Sequence, residues 1–162
     1  MDSEMPSVLA VPPEKGYVYI ASDHNGTACR NYLVKRLVEA GYAVIDLGPD
    51  EYEGKVDYPL MAKKLCENVL DEHRGRGVLI CGTGTGMLIA ANRFKGIRAG
   101  LATDRATAEL MRQHNDCNVI VLGQWRTPMS EMETLVKTFL ETPFEQGRHV
   151  KRVEMLEKLG EE

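Results

Sequence analysis

Short, largely apolar runs alternate five times with longer stretches in which apolar residues recur every three or four positions. The runs at 17–21, 43–47, 77–80, 97–102 and 118–122 have the length and continuous apolar character of strands buried on both faces. The stretches between them predict helices. One runs from about His24 to Ala40 and stops at Gly41, one from Tyr58-Pro59 through about Asp71, and one from a glycine-rich turn to about Phe94. Two more run from Arg105 to about His114 and from Pro128 to about Leu140. Buried strands joined by helical crossovers run parallel, so the expected fold is α/β, a Rossmann-like, doubly wound five-stranded parallel sheet with an extra C-terminal helix. That extra helix-like segment, 144–159, has no strand after it. Val153, Leu156 and Leu159 give it an apolar stripe that suits either its own sheet or a partner chain. Residues 1–16, with three prolines, read as a flexible leader, which leaves 17–162 as one domain without internal repeats.

The third strand ends in Cys81-Gly-Thr-Gly-Thr-Gly86, and a helix follows at once. Unpaired backbone N–H groups at such a turn favour anions and lower a cysteine pKa from its usual value of about 8.5. The loop can therefore hold a negatively charged group beside a thiolate. Three known loops fail against the spacing. The dinucleotide fingerprint needs glycine where Met87 stands, the P-loop needs Gly-Lys-Ser/Thr at the helix start, and a cysteine phosphatase loop needs arginine, again at Met87. The other reading is structural, a small buried cysteine before a turn that lets strand and helix pack closely.

Composition narrows the partners. The 162 residues carry 24 Asp+Glu against 20 Lys+Arg, a net charge of −4 that does not suit a nucleic-acid binder. Cys29, Cys66, Cys81 and Cys117 form no C-x-x-C pair and no Cys/His ligand spacing, so a cytoplasmic chain with reduced thiols and no metal is expected. Residues 1–16 lack the apolar core of a signal peptide, and no apolar run approaches the roughly 18 residues of a membrane span.

In open parallel sheets, ligands bind beyond the carboxyl ends of the strands. Ser22-Asp23-His24-Asn25 follows the first strand, Cys81 to Gly86 the third, and Asp104 the fourth. His24 fits either a site residue or a surface histidine, and Asp23 either a partner of Cys81 or an N-cap. The fourth helix closes with Arg112-Gln-His114-Asn115, where a histidine suits the helix dipole and Asn115 suits a left-handed cap. Because that helix starts at the ligand rim and ends at the opposite one, His114 lies far from its own Cys81. A catalytic His114 would serve another subunit's site. Arg148 and Arg152, four apart, share a helix face that is either a solvated basic face or a fork for phosphate.

Taken together, Asp23-His24, Asp57-Tyr58-Pro59, Cys81-Gly-Thr-Gly-Thr-Gly86, Ile89-Ala-Ala-Asn92, Arg112-Gln-His114-Asn115 and Gly147-Arg148-His-x-x-Arg152 resemble the type B ribose-5-phosphate isomerases, the family that also contains galactose-6-phosphate isomerase. The resemblance spans 17–159. It implies an aldose–ketose isomerase of ribose 5-phosphate and ribulose 5-phosphate that works through an enediolate, with no cofactor. Cys81 would be the base, Thr83 and the loop N–H groups would serve the substrate oxygens, and His114 would open the sugar ring. Asp23 would join the catalytic set. His24, Arg148 and Arg152 would hold the phosphate, with Tyr58, Gly82, Gly86, Asn115 and Arg126 completing the binding residues. The family implies a homodimer with each site built from two chains. One position departs: where the family pattern has arginine two residues after the glycine that ends the fifth strand, this chain has Trp125, with Arg126 one step later. Either Arg126 serves the phosphate from a shifted backbone, or Trp125 reshapes the pocket for another sugar. Isomerisation of a tetrose, galactose or allose phosphate is the alternative within the class. A non-catalytic phosphometabolite-binding protein on the same fold is the alternative outside it; it would keep Arg148 and Arg152 but would not need Cys81.

Overall fold

The computed structural model describes residues 16–50, 54–72 and 74–161. Five strands, β1 (Val18–Ser22), β2 (Val44–Asp46), β3 (Arg76–Cys81), β4 (Ala99–Leu101) and β5 (Val119–Gly123), form one sheet in the order β2-β1-β3-β5-β4. Every pairing is parallel. Six helices flank it: α1 (Thr27–Glu39), α2 (Tyr58–Leu70), α3 (Thr85–Ala91), α4 (Arg105–Asn115), α5 (Met129–Glu141) and α6 (Arg148–Leu156). No helix among the described residues is long and apolar enough to cross a membrane.

The period of two along the strands explains why both faces are covered. Val18, Ile20, Val78, Ile80, Ile120 and Leu122 face one way and pack on Leu33 and Leu37 of α1, Met111 of α4, and Met132, Val136 and Phe139 of α5. Tyr19, Ala21, Leu79, Cys81, Val119 and Val121 face the other way, against Met61 and Leu65 of α2 and Met87 of α3. Cys81 thus belongs to the α2–α3 face, at the carboxyl end of the central strand.

Several predicted boundaries move, each for a local reason. The first helix opens as a 3-10 turn, His24–Gly26, before α1 begins at Thr27. The helix expected to reach Phe94 ends at Ala91, where the Asn92 amide donates to the carbonyls of Leu88 (3.2 Å) and Ala99 (3.0 Å) and accepts the Ala99 N–H (2.9 Å), clamping α3 to β4. The second and fourth strands are each three residues long. The terminal helix starts at Arg148, because Gln146 and Gly147 take φ of 66° and 59° and turn the chain first. It packs on α4, while Met155, Leu156 and Leu159 remain exposed. The left-handed residue closing α4 is Asp116 (φ 48°), not Asn115, which is the last residue of the helix. The leader lies outside the described residues except Gly16, which is buried against the Arg74 backbone.

Candidate active site

Three strand ends, those of β1, β3 and β5, meet at the carboxyl edge of the sheet. After β1, the Asp23 N–H donates to the Ile80 carbonyl (3.2 Å), one residue before Cys81. After β5, the N–H groups of Gln124 and Trp125 donate to the carbonyls of Cys81 and Gly82, both at 2.8 Å. The thiol, 5% exposed, is therefore fixed between β1 and β5. All four cysteines are free and buried. Burial pushes Cys66 up to about 12, Cys117 up to about 11 and Cys29 above its ordinary value, which keeps these three as inert thiols within the core. Position at the ligand edge separates Cys81 from them.

Gly84, in the left-handed conformation (φ 88°), caps α3 and aims its first turn at the loop. Thr83 Oγ1 accepts the Thr85 N–H (3.2 Å), while helix geometry leaves the N–H groups of Gly86 and Met87 without intrahelical acceptors. Tyr58 lies over the helix start: a Cβ on Gly86 would sit 2.8 Å from its ring. Trp125 lies over the other end, 2.6 Å from a Cβ placed on Gly82. Substituting either glycine would drive a side chain into a ring.

Asp23 is buried and caps the 3-10 turn, its Oδ1 accepting the N–H groups of Asn25 (2.9 Å) and Gly26 (3.2 Å), so the N-cap reading holds. His24 Nδ1 lies 3.2 Å from both the backbone nitrogen and the carbonyl oxygen of Val56, with its donor or acceptor role set by the tautomer; this ties the segment before α2 to the end of β1 and leaves Nε2 unengaged by any described residue. Arg126 is exposed, its stem against Gly123 at the Thr83 end of the loop.

The other predicted residues gather elsewhere. The carbonyls of Asn115 and Asp116 accept from Nε of Arg98, just before β4, which places the end of α4 at the amino edge of the sheet, opposite Cys81. There His114 stacks on His149, ring centroids 4.4 Å apart and planes at 15°. His149, 4% exposed, has Nε2 3.4 Å from Glu145 Oε1. Burial, with Arg148 and His114 alongside, pushes its imidazole below the usual range, while Glu145 pulls it up. Glu145 carries no sequence signal beyond its four-residue spacing from His149, and His149, although it stands in the Gly147-Arg148-His-x-x-Arg152 motif, is given no role there. His114, Glu145 and His149 each bring a possible ligand atom within 4.8 Å of the others, although the lone pairs of two rings stacked at 15° lie in nearly parallel planes, a poor arrangement for sharing one ion. Arg148, Arg152 and Asn115 are exposed beside this pair. A cleft of about 700 Å³ adjoins it, lined by Arg98, Met111, Asn115, Leu156 and Leu159. One chain thus carries a thiol with its glycine loop at one edge of the sheet, and imidazoles with guanidiniums at the other.

A family profile described as Ribose/Galactose Isomerase matches residues 18–156. The chain is 44% identical over 136 residues to a protein of Mycoplasma pneumoniae named "Probable ribose-5-phosphate isomerase B", covering 84% of this chain and 90% of that one. It is 40% identical over 134 residues to ribose-5-phosphate isomerase B of Escherichia coli (strain K12), covering 83% and 89%. The structure of ribose 5-phosphate isomerase B from Anaplasma phagocytophilum superposes with a TM-score of 0.82 at 41% identity, covering 86% of this chain and 95% of that one.

Proposed function

This chain belongs to the ribose/galactose isomerase family, and from that premise we propose that it interconverts ribose 5-phosphate and ribulose 5-phosphate, with Cys81 as the base. The observation that carries the reading is a buried-rim thiol next to a glycine loop with free N–H groups, on a chain similar over most of its length to isomerases of this type. Aldose–ketose isomerisation removes a weakly acidic proton beside a carbonyl, stabilises an enediolate and returns the proton to the neighbouring carbon. The Cys81 thiolate takes and returns it. Thr83 and the loop N–H groups face the developing oxyanion, where preorganised donors act most strongly. Asp23, buried and serving as the N-cap of the 3-10 turn, shares the edge with Cys81 and completes the catalytic set. Because proton and electrons stay within the substrate, the chemistry calls for no redox cofactor.

His114 opens the cyclic sugar, and His24, Arg126, Arg148 and Arg152 hold the phosphate, with Tyr58, Gly82, Gly86 and Asn115 lining the pocket. Since His114 and the two guanidiniums lie at the opposite edge from Cys81, each complete site is assembled from two chains of a homodimer. The four free thiols suit the reducing cytoplasm.

The deciding experiment is a panel of aldose phosphates of four to six carbons, comparing kcat/KM. Ribose 5-phosphate is expected to rank first. A higher value for a tetrose, galactose or allose phosphate reassigns the substrate within the same chemistry, and binding without turnover of any sugar replaces the enzyme with a binding protein. Within the panel, Arg148→Ala should raise KM for ribose 5-phosphate roughly 10- to 100-fold, since losing one charge-assisted contact costs about 1.5 to 3 kcal/mol. Lys63→Ala, an exposed α2 lysine, is the control, and equal effects of the two changes remove Arg148 from the phosphate site.

A further inference from the structure

We propose that Trp125 is a specificity-determining wall of the sugar site, its indole packing on the carbon–hydrogen face of the bound sugar phosphate beside Cys81. The inference rests on the isomerase reading and adds to it a residue that discriminates between sugars.

The ring is positioned by backbone. Gln124 and Trp125 bond to the carbonyls of Cys81 and Gly82, and the N–H groups of Arg126 and Thr127 both return to the Gly123 carbonyl at 3.0 Å, closing a tight turn after β5. That turn sets the six-membered ring of the indole against Gly82. A Cβ there would lie 2.6, 2.7 and 2.8 Å from three of its atoms, so no side chain separates the indole from the residue next to the thiol. Yet Trp125 is 65% exposed, the highest value among the exposed large apolar side chains of the described residues. A rigid aromatic pinned by one edge over the reactive loop, with its remaining surface open, matches what a sugar presents. The C–H-rich face of a carbohydrate packs on a π face, while its hydroxyls and phosphate are left to polar groups. Tyr58 makes the corresponding contact over Gly86, so the loop lies between two rings. Main-chain hydrogen bonds hold this turn, so changing the side chain alters the wall without dismantling the loop.

Trp125 is the only tryptophan in the protein, so its fluorescence reports on this position alone. In Cys81→Ser protein, which keeps the substrate unconverted, ribose 5-phosphate should change the emission saturably, with the affinity that calorimetry gives, and inorganic phosphate alone should not reproduce the change. In otherwise wild-type protein, Trp125→Ala should raise KM for ribose 5-phosphate about five- to tenfold, with Trp125→Phe recovering most of it. The same alanine change should shift the ratio of kcat/KM between erythrose 4-phosphate and ribose 5-phosphate. Calorimetric binding with unchanged emission and an unchanged ratio overturns the proposal while the isomerase reading stands. Emission that responds to subunit dilution and not to sugar also overturns it, by making the indole a contact between chains. Absence of binding and turnover with every sugar phosphate removes the isomerase reading, and this wall with it.

Discussion

Cys81→Ser is expected to fold, to bind ribose 5-phosphate, and to lose roughly 10² to 10⁴ in kcat, the usual size of a general-base contribution. Folding should survive because the change is nearly isosteric and the position is held by neighbouring backbone bonds, including those from Gln124 and Asp23 on either side. Binding should survive because the phosphate contacts lie on other residues. Turnover should not, because a serine hydroxyl has no accessible anion near neutral pH with which to take a carbon-bound proton. The measurement is kcat with ribose 5-phosphate, alongside calorimetric affinity and a thermal melt. Near-normal turnover in a folded variant takes the base's role away from Cys81.

His114→Ala should produce a defect that depends on the sugar. A pentose 5-phosphate closes to a furanose and must be opened before the proton at C2 can move. An aldotetrose 4-phosphate cannot close, because its O4 carries the phosphate. Loss of His114 should therefore depress ribose 5-phosphate turnover by about 10² or more, as removal of an acid–base group does, and leave erythrose 4-phosphate turnover much less affected. Cys81→Ser should depress both. The same pair of variants tests the two-chain site. In a mixed dimer, the intact Cys81 of one chain meets the intact His114 of the other, so mixing two inactive preparations should restore pentose activity. No recovery, with mixed dimers shown to form, means that the two half-sites do not combine between chains.

The parallel sheet was legible because its strands are buried on both faces, so apolar runs such as 77–80 stand out against the helical period on either side. Its strand order was not, since pairing β4 outside β5 leaves no mark on either segment. The cysteine loop was legible because its glycines are required by contact: Trp125 and Tyr58 occupy the space that side chains at Gly82 and Gly86 would need. Those rings themselves come from distant segments and could be placed only by the fold. At the end of α4, the preference of asparagine for the left-handed region pointed to Asn115, but two guanidiniums decide otherwise. Arg112 (2.8 Å) and Arg98 (3.3 Å) both hold the Asp116 carboxylate, and the helix runs one residue further to deliver it. The helix start expected near residue 144 failed for a related reason. The apolar stripe sits on Val153, Leu156 and Leu159, beyond the turn, and says nothing about the backbone at Gln146 and Gly147. The stacking of His149 on His114 joins two motifs that sequence reading could quote only separately, because their contact exists only when α6 folds over α4.

The placement of β3 between β1 and β5 also divides the molecule by how readily its parts open. Both edges of that strand are paired, and its side chains from Val78 to Cys81 are buried, so its amides are released only when the whole domain unfolds. The last helix buries only His149 and can fray without disturbing the sheet. The reactive thiol therefore rides on the most persistent element of the chain, and the guanidiniums of Arg148 and Arg152 on one of the least. If each site is built from two chains as proposed, local melting or proteolysis at the C-terminal end would disarm the opposite subunit's site before it touched the chain's own thiol.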